Sequence, residues 1–301
     1  MSSGRGEWAP FEGVRSPLYA RAIVIDNGQT RLGLVALDLL GLADEAVGGM
    51  EDFKCRVSGH ALRALEAGQI VLASTHTHSG PESLTLSSLY RTEPFRNWVK
   101  LLAQQIGAAL ADARESLRPC RLMVGSIASE GLSVNRRVKT SRGIVSHRAI
   151  RPGDVVSGPE GPTDDRVRVA AFMEPLGVAR AVLVNATAHP VYEMCIKRVS
   201  PDYPGEMARL LSRRHPGAGV LFFQGAAGNI NPPQVSTGPV DAERHGRQLA
   251  DLVDRAMGNL RPVRGTELAI RWRKVKLPAR TLTGAPQPEP LLATLAAVRL
   301  G

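Results

Sequence analysis

Gln69-Ile70-Val71-Leu72-Ala73-Ser74-Thr75-His76-Thr77-His78-Ser79-Gly80-Pro81 runs a short apolar strand into a polar turn. Residues two apart on a strand share a face, so the His76 and His78 rings can meet at one point where the strand ends. Such a pair suits a metal. Neutral imidazole is the commonest ligand for Zn²⁺, a sheet behind the pair keeps it in place, and the Gly80-Pro81 turn opens space in front. Two surface histidines that happen to lie near a turn would leave the same pattern.

The segments on either side decide the fold class. Residues 22–26 and 32–40 are apolar runs joined by Asp26-Asn27-Gly28, the signal of a strand hairpin. Val47, Met50, Lys54, Val57, Ala61 and Leu65 recur at helical spacing, with Gly48 and Gly49 weakening the start. Pro94 suits a first helical turn, and Phe95, Val99, Leu102, Ile106, Leu110 and Ala113 follow it every three or four residues. Further on, β-type runs at 121–128, 166–172, 179–185, 219–223 and 268–277 alternate with helical patterns at 203–213 and 241–257. This alternation predicts an α/β fold, mixed β-sheets covered by helices. The polar stretch 138–165 reads as a long loop near a functional edge. Residues 1–278 form the expected catalytic domain. Within 279–301, the run Gly284-Ala285-Pro286-Gln287-Pro288 reads as a linker, and 289–300 as the start of a further helix.

Composition narrows the classes. An apolar fraction of 43% over 301 residues fits a packed globule and excludes collagenous, coiled-coil and disordered chains. Apolar runs such as 32–42 are interrupted by Asp38 and fall short of the roughly 18–20 residues that cross a bilayer. The first twenty residues hold no apolar export core, so the expected location is cytoplasmic. Cys55, Cys120 and Cys195 are odd in number and widely spaced, which predicts small core residues rather than disulfides. The net charge of +10 favours anionic partners. Yet the arginines are scattered, the largest clusters being Arg136-Arg137 and Arg213-Arg214, and no nucleic-acid partner is expected.

Three further segments could carry chemistry. In Asn185-Ala186-Thr187-Ala188-His189-Pro190, the proline holds His189 extended at the end of another strand, where α/β folds gather their sites. A structural histidine is the plainer alternative. Residues 223–233 run a strand into a small-residue loop whose Gly225, Ala226, Ala227 and Gly228 allow close backbone approach, as an oxyanion site requires, or else make an ordinary tight connection. In Ser133-Val134-Asn135-Arg136-Arg137, Arg136 could hold an anionic group or lie on the surface.

Taken together and in order, these segments resemble the neutral, non-lysosomal ceramidases and their bacterial relatives. Those proteins carry THTHSGP, an NR pair, HP followed by D-[YF]-PG, and a QG-x-x-GD-x-x-P loop. Here they stand as Thr75 to Pro81, Asn135-Arg136, His189-Pro190, Asp202-Tyr203-Pro204-Gly205 and Gln224 to Pro232, within a resemblance spanning about residues 13–278. The resemblance implies a zinc-dependent hydrolase that cleaves the N-acyl amide of ceramide, or of a related lipid or small-molecule amide, into carboxylate and amine. It implies His76 and His189 as zinc ligands, His78 facing the substrate beside the metal, and Arg136 contacting the reacting centre. Asn231 stands where the family has its serine nucleophile, and Asn229 where it has Asp. An amide side chain cannot attack a carbonyl, so Asn231 would at most donate a hydrogen bond, and water activated by the metal would be the nucleophile. The family's remaining ligands, a Glu and a Tyr, lie further along than this sequence extends, and its opening strand is missing, so truncation at both ends is expected. Asp38 and Asp202 are the carboxylates that could supplement the histidines. A non-catalytic relative binding a lipid or small ligand in the same cleft is the competing expectation.

Overall fold

The computed structural model describes residues 10–129, 131–278 and 291–301. The first half begins with β1 (Gly13–Val14), β2 (Ala20–Asp26) and β3 (Arg31–Leu37). The Asp26 carboxylate accepts the Gly28 N–H and the Arg31 guanidinium, closing an antiparallel hairpin that pairs Ala20 with Leu37 and Asp26 with Arg31. Next come α1 (Met50–His60), β4 (Ile70–Ser74), which lies parallel to β3, and α2 (Glu93–Glu115) with Pro94 in its first turn. Helix α1 is shorter than the 47–65 periodicity predicts. Gly48 and Gly49 at φ 75° and 97° hold the chain outside helical space before it, and Leu62 and Arg63, both at φ 54°, end it.

The second half adds β5 (Arg121–Ala128), β6 (Val134–Asn135), β7 (Arg137–Thr140), β8 (Gly143–Ser146) and β9 (Val156–Pro159). There follow β10 (Arg166–Met173), β11 (Ala179–Ala186), β12 (Arg198–Val199), α3 (Asp202–Arg214), β13 (Gly219–Gln224), β14 (Ile230–Asn231), α4 (Pro239–Met257) and β15 (Arg261–Pro262). Five of these form a mixed sheet in the order β13-β11-β10-β5-β15, in which β11 and β13 run parallel and the other neighbours antiparallel.

Strand alternation builds the layers. Val35 and Leu37 of β3 face the helices α1 and α2, packing with Phe53, Val57, Ile106 and Leu110. Leu34 and Ala36, one residue out of phase, face the other sheet and meet Ala181, Leu183 and Leu221. From that sheet, Val182 and Val184 point the opposite way, into a core with Tyr203, Met207, Leu249 and Val253 of α3 and α4. The architecture is therefore helix, sheet, sheet, helix, an α/β fold with mixed sheets covered by helices.

Three local expectations are corrected. Residues 138–165 are not a bare loop: β7, β8 and β9 form a small sheet of their own in the order β8-β7-β9. The expected helix at 289–300 is instead β17 (Leu291–Leu300), paired antiparallel with β16 (Leu268–Leu277), Leu268 opposite Leu300. Val298 and Leu300, two apart, both pack on the core between the sheets, so a long partner strand settles an apolar run too short to declare its period. The linker at 284–288 lies outside the described residues. Finally, Cys55, Cys120 and Cys195 are free but exposed rather than core residues.

Candidate metal centre

At the end of β4 the chain leaves the strand under backbone control. Thr75 N–H donates to the Leu37 carbonyl and His76 N–H to that of Leu39, and His76 lies at φ 72°. The two histidines therefore do not share a face by simple strand alternation. A left-handed residue redirects the chain and brings the His76 and His78 ring centroids to 5.0 Å. The turn is tied down behind them: Thr77 Oγ1 donates to the Ser200 carbonyl (2.8 Å), Ser200 N–H to that of Ser79 (2.9 Å), and His78 N–H to that of Pro190 (3.2 Å). These bonds join the first half of the molecule to the second.

From the second half, His189 follows β11. Its backbone N–H and its Nδ1 both donate to the Ile230 carbonyl, at 3.2 and 2.9 Å. The preceding carbonyl, Ala188, accepts the Tyr203 hydroxyl at 2.6 Å and Gln224 Nε2 at 2.5 Å. So fixed, the His189 ring lies 4.9 Å from His76 and 5.5 Å from His78. One ligand atom from each of the three lies within 4.8 Å of the others, the one such group among the described residues.

The donors have the chemistry a divalent ion needs. His76 Nδ1 faces the Leu40 carbonyl at 2.6 Å, as His189 Nδ1 faces that of Ile230. A carbonyl only accepts, so both Nδ1 atoms carry the proton and both Nε2 lone pairs are left for a ligand bond. Burial lowers the pKa of all three rings; for His78 it does so to about 3, reinforced by His76, His189 and the Arg136 charge. Neutral rings are the form a metal binds. Tetrahedral donors about 2.1 Å from an ion stand roughly 3.4 Å apart, so closing the group takes shifts of about 1 Å. The triad fits a metal ion.

The remaining candidates come together on another short pairing. Strand β14 lies antiparallel to β6, with Ile230 opposite Asn135 and buried Asn231 opposite Val134. Arg136 N–H donates to the Asn229 carbonyl at 2.7 Å, and its charge acts on both His78 and His189. The NR pair and the Asn231 loop are thus adjacent. The neighbouring Asn135 is a scaffold residue, its Nδ2 donating to Gly161 O and its Oδ1 accepting Arg137 N–H. The glycine loop also differs from the expected oxyanion nest at its first position. Gly225 N–H is taken by the Ala186 carbonyl, and a Cβ there would lie 2.0 Å from Thr187 Oγ1, so close packing is what requires this glycine.

Neither carboxylate that could supplement the histidines joins their group. Asp38 receives Arg21 (2.6 Å) and Tyr19 N–H, while Asp202 receives the N–H groups of Glu193 and Tyr203. His78, which the resemblance places beside the metal facing the substrate, is the third ring of the group that could hold an ion. Sequence reading passed over Gln224 and Tyr203 as supports of His189, although both lie in the quoted motifs.

No family model matches the chain. The neutral ceramidase of Pseudomonas aeruginosa is 27% identical over 248 residues, which are 77% of this chain and 34% of that protein. A solved structure described as ceramidase complexed with C2 superposes with a TM-score of 0.67 at 24% identity, covering 85% of this chain and 41% of the other. The crystal structure of neutral ceramidase from Pseudomonas aeruginosa gives 0.66 at 25%, covering 85% and 42%. The chain spans about a third of the length of the curated relative. The chain shares its fold with the neutral ceramidases and is similar in sequence to one of them over about three quarters of its own length.

Proposed function

We infer that the chain is a zinc-dependent hydrolase cleaving an N-acyl amide, ceramide or a related lipid amide, into a carboxylate and an amine. The observation that carries this reading is the convergence of His76, His78 and His189 with two proton-bearing Nδ1 atoms turned away. These three rings would hold the ion. When bound, zinc supplies Lewis-acid polarisation of a carbonyl and acidifies water. The chain's own groups do the rest. Arg136, poised by its backbone bond to Asn229, offers a fixed positive charge to oxygen that becomes anionic. Buried Asn231 orients an acyl oxygen by donating a hydrogen bond, and it has no nucleophilic atom with which to form an acyl intermediate.

Asn231 also motivates a second reading, a non-catalytic relative that holds a lipid or small ligand in the same cleft. Turnover separates the two. Purified chain supplied with zinc is assayed on a fluorescent ceramide and on short N-acyl amines, beside Arg136→Ala. Metal-dependent cleavage that falls about 10²- to 10³-fold in Arg136→Ala supports the hydrolase. Zinc bound without turnover on any amide, with Asn231→Ser equally inert, supports the binding protein.

A further inference from the structure

The small sheet β7–β9 is rooted in the site and carries features the hydrolytic reading does not use. Its root is Arg136, whose carbonyl accepts His147 N–H at 2.8 Å while its own N–H is held by Asn229. Its far end is a compact tip. Arg142 pairs with Asp154 at 2.6 Å and donates to the Ala149 carbonyl, and Ser141 N–H donates to the Val155 carbonyl. These bonds bring the β7–β8 turn against residues 149–156, and this end of the sheet carries four exposed aliphatic side chains, Ile144 on the face of its partner Lys139 and Val156 on the opposite face with Thr140. Ile144 is 48% exposed, Ile150 40%, Val155 70% and Val156 49%. Single exposed aliphatics are ordinary on a protein surface, but four on one tip are not.

The charge around them has one sign. Residues 136–160 hold six basic side chains against two acidic ones. Both acids are taken within the sheet, Asp154 by Arg142 and Glu160 by Arg137. Lys139, Arg148 and Arg151 are exposed beside the aliphatics. Aliphatic tips ringed by cations match an anionic lipid surface, where the apolar groups enter the headgroup boundary and the cations meet phosphate. A nucleic acid would match the cations but leave the aliphatics unused.

We propose that the β7–β9 tip docks the protein on anionic lipid bilayers, placing the histidine centre beside the membrane. This rests on the lipid-amide reading for its purpose, but it is measured without turnover: vesicle binding stands if no amide is cleaved, and cleavage of soluble amides stands if no vesicle is bound. The experiment is co-sedimentation of the full chain with vesicles of phosphatidylcholine alone or mixed with phosphatidylglycerol, at about 0.15 M salt, where distant surface charges are largely screened. The mixed vesicles are expected to bind at least about tenfold more tightly than phosphatidylcholine alone. A variant combining Ile144→Ser, Val155→Ser and Val156→Ser, all exposed positions that leave the core intact, is expected to lose about tenfold or more. Leu176→Ser, which alters a 92% exposed leucine on the distant β10–β11 turn, is expected to bind like the parent. The proposal is overturned if neither vesicle is bound, if the triple variant binds like the parent, or if light scattering shows that the tip is covered by a second copy that the triple variant releases.

Discussion

His76 combines two roles that pull in opposite directions. Its φ of 72° places a residue with a Cβ in the left-handed region, a conformation costing on the order of 1–2 kcal/mol that the surrounding bonds to Leu39 and Leu40 enforce. His76→Ala keeps that strain and His76→Gly relieves it. Without metal, the glycine variant is expected to be about 1 kcal/mol more stable than the alanine variant by denaturant unfolding. Both are expected to lose zinc affinity by more than the roughly 10- to 100-fold that follows removal of a ligand's outer hydrogen-bond partner. Retained stoichiometric zinc by elemental analysis would remove His76 from the ligand set. A second residue, His245, senses pH away from the site. It is buried against Tyr192 and Tyr203, and burial lowers its pKa to about 3. Unfolded, a histidine titrates near 6.5. Between those values only the unfolded chain takes the proton, so stability is lost as pH falls from about 6.5 toward 3, by up to about 1.4 kcal/mol per pH unit for this one group. His245→Gln should make the acid limb of unfolding shallower by that amount, and an unchanged slope would show that His245 is protonated in the fold.

At the scale of elements, α3 and α4 meet at Gly246. A Cβ there would stand 2.8 Å from the Tyr203 carbonyl and 2.7 Å from Glu206 Cβ. Alanine is intrinsically the better helix residue by roughly 1 kcal/mol. Because the obstacle is partly backbone, overpacking outweighs that gain, and Gly246→Ala is expected to destabilise by about 1–3 kcal/mol in chemical denaturation. An equal or higher midpoint would mean that the helices separate freely. Long periodic elements of this kind were legible in the sequence: α2, α4 and the hairpin β2–β3 stand within a few residues of where periodicity and the Asn-Gly turn put them. What escaped was decided at a distance. Strand β17 takes its state from ten residues of pairing with β16, and β7–β9 from cross-strand bonds that no local pattern announces. At the site, the spacing of His76 and His78 pointed to a metal pair, but its geometry depends on a left-handed backbone that no side-chain pattern encodes. The exclusion of Asp38 and Asp202 follows from partners 17 and 9 residues away in sequence, Arg21 and Glu193, whose pairing no local pattern announces.

Over the whole molecule, the candidate centre lies across the joint between two separately cored halves. His76 and His78 follow β4, whose sheet packs under α1 and α2, while His189 follows β11, whose sheet packs under α3 and α4. The halves share the core between the sheets, with Leu34 and Ala36 against Leu183 and Leu221, and the bonds Thr77 to Ser200 and His78 to Pro190. An ion gripping rings from both sides would bind only when the halves are docked, so its binding free energy adds to global stability rather than to one half. At roughly a hundred times Kd that stabilisation is about 2.7 kcal/mol, a rise in Tm of roughly 5 °C for a chain of this size. Thermal unfolding with zinc and then with excess chelator is expected to show this rise and its reversal as one cooperative transition. His189→Ala leaves the two candidate rings of the first half in place but removes the link across the joint, and it is expected to abolish the shift. A full zinc-dependent rise in His189→Ala would mean that the ion sits within one half. Two separate transitions with only the first moved by zinc would mean that the halves unfold independently and that the shared core does not couple them.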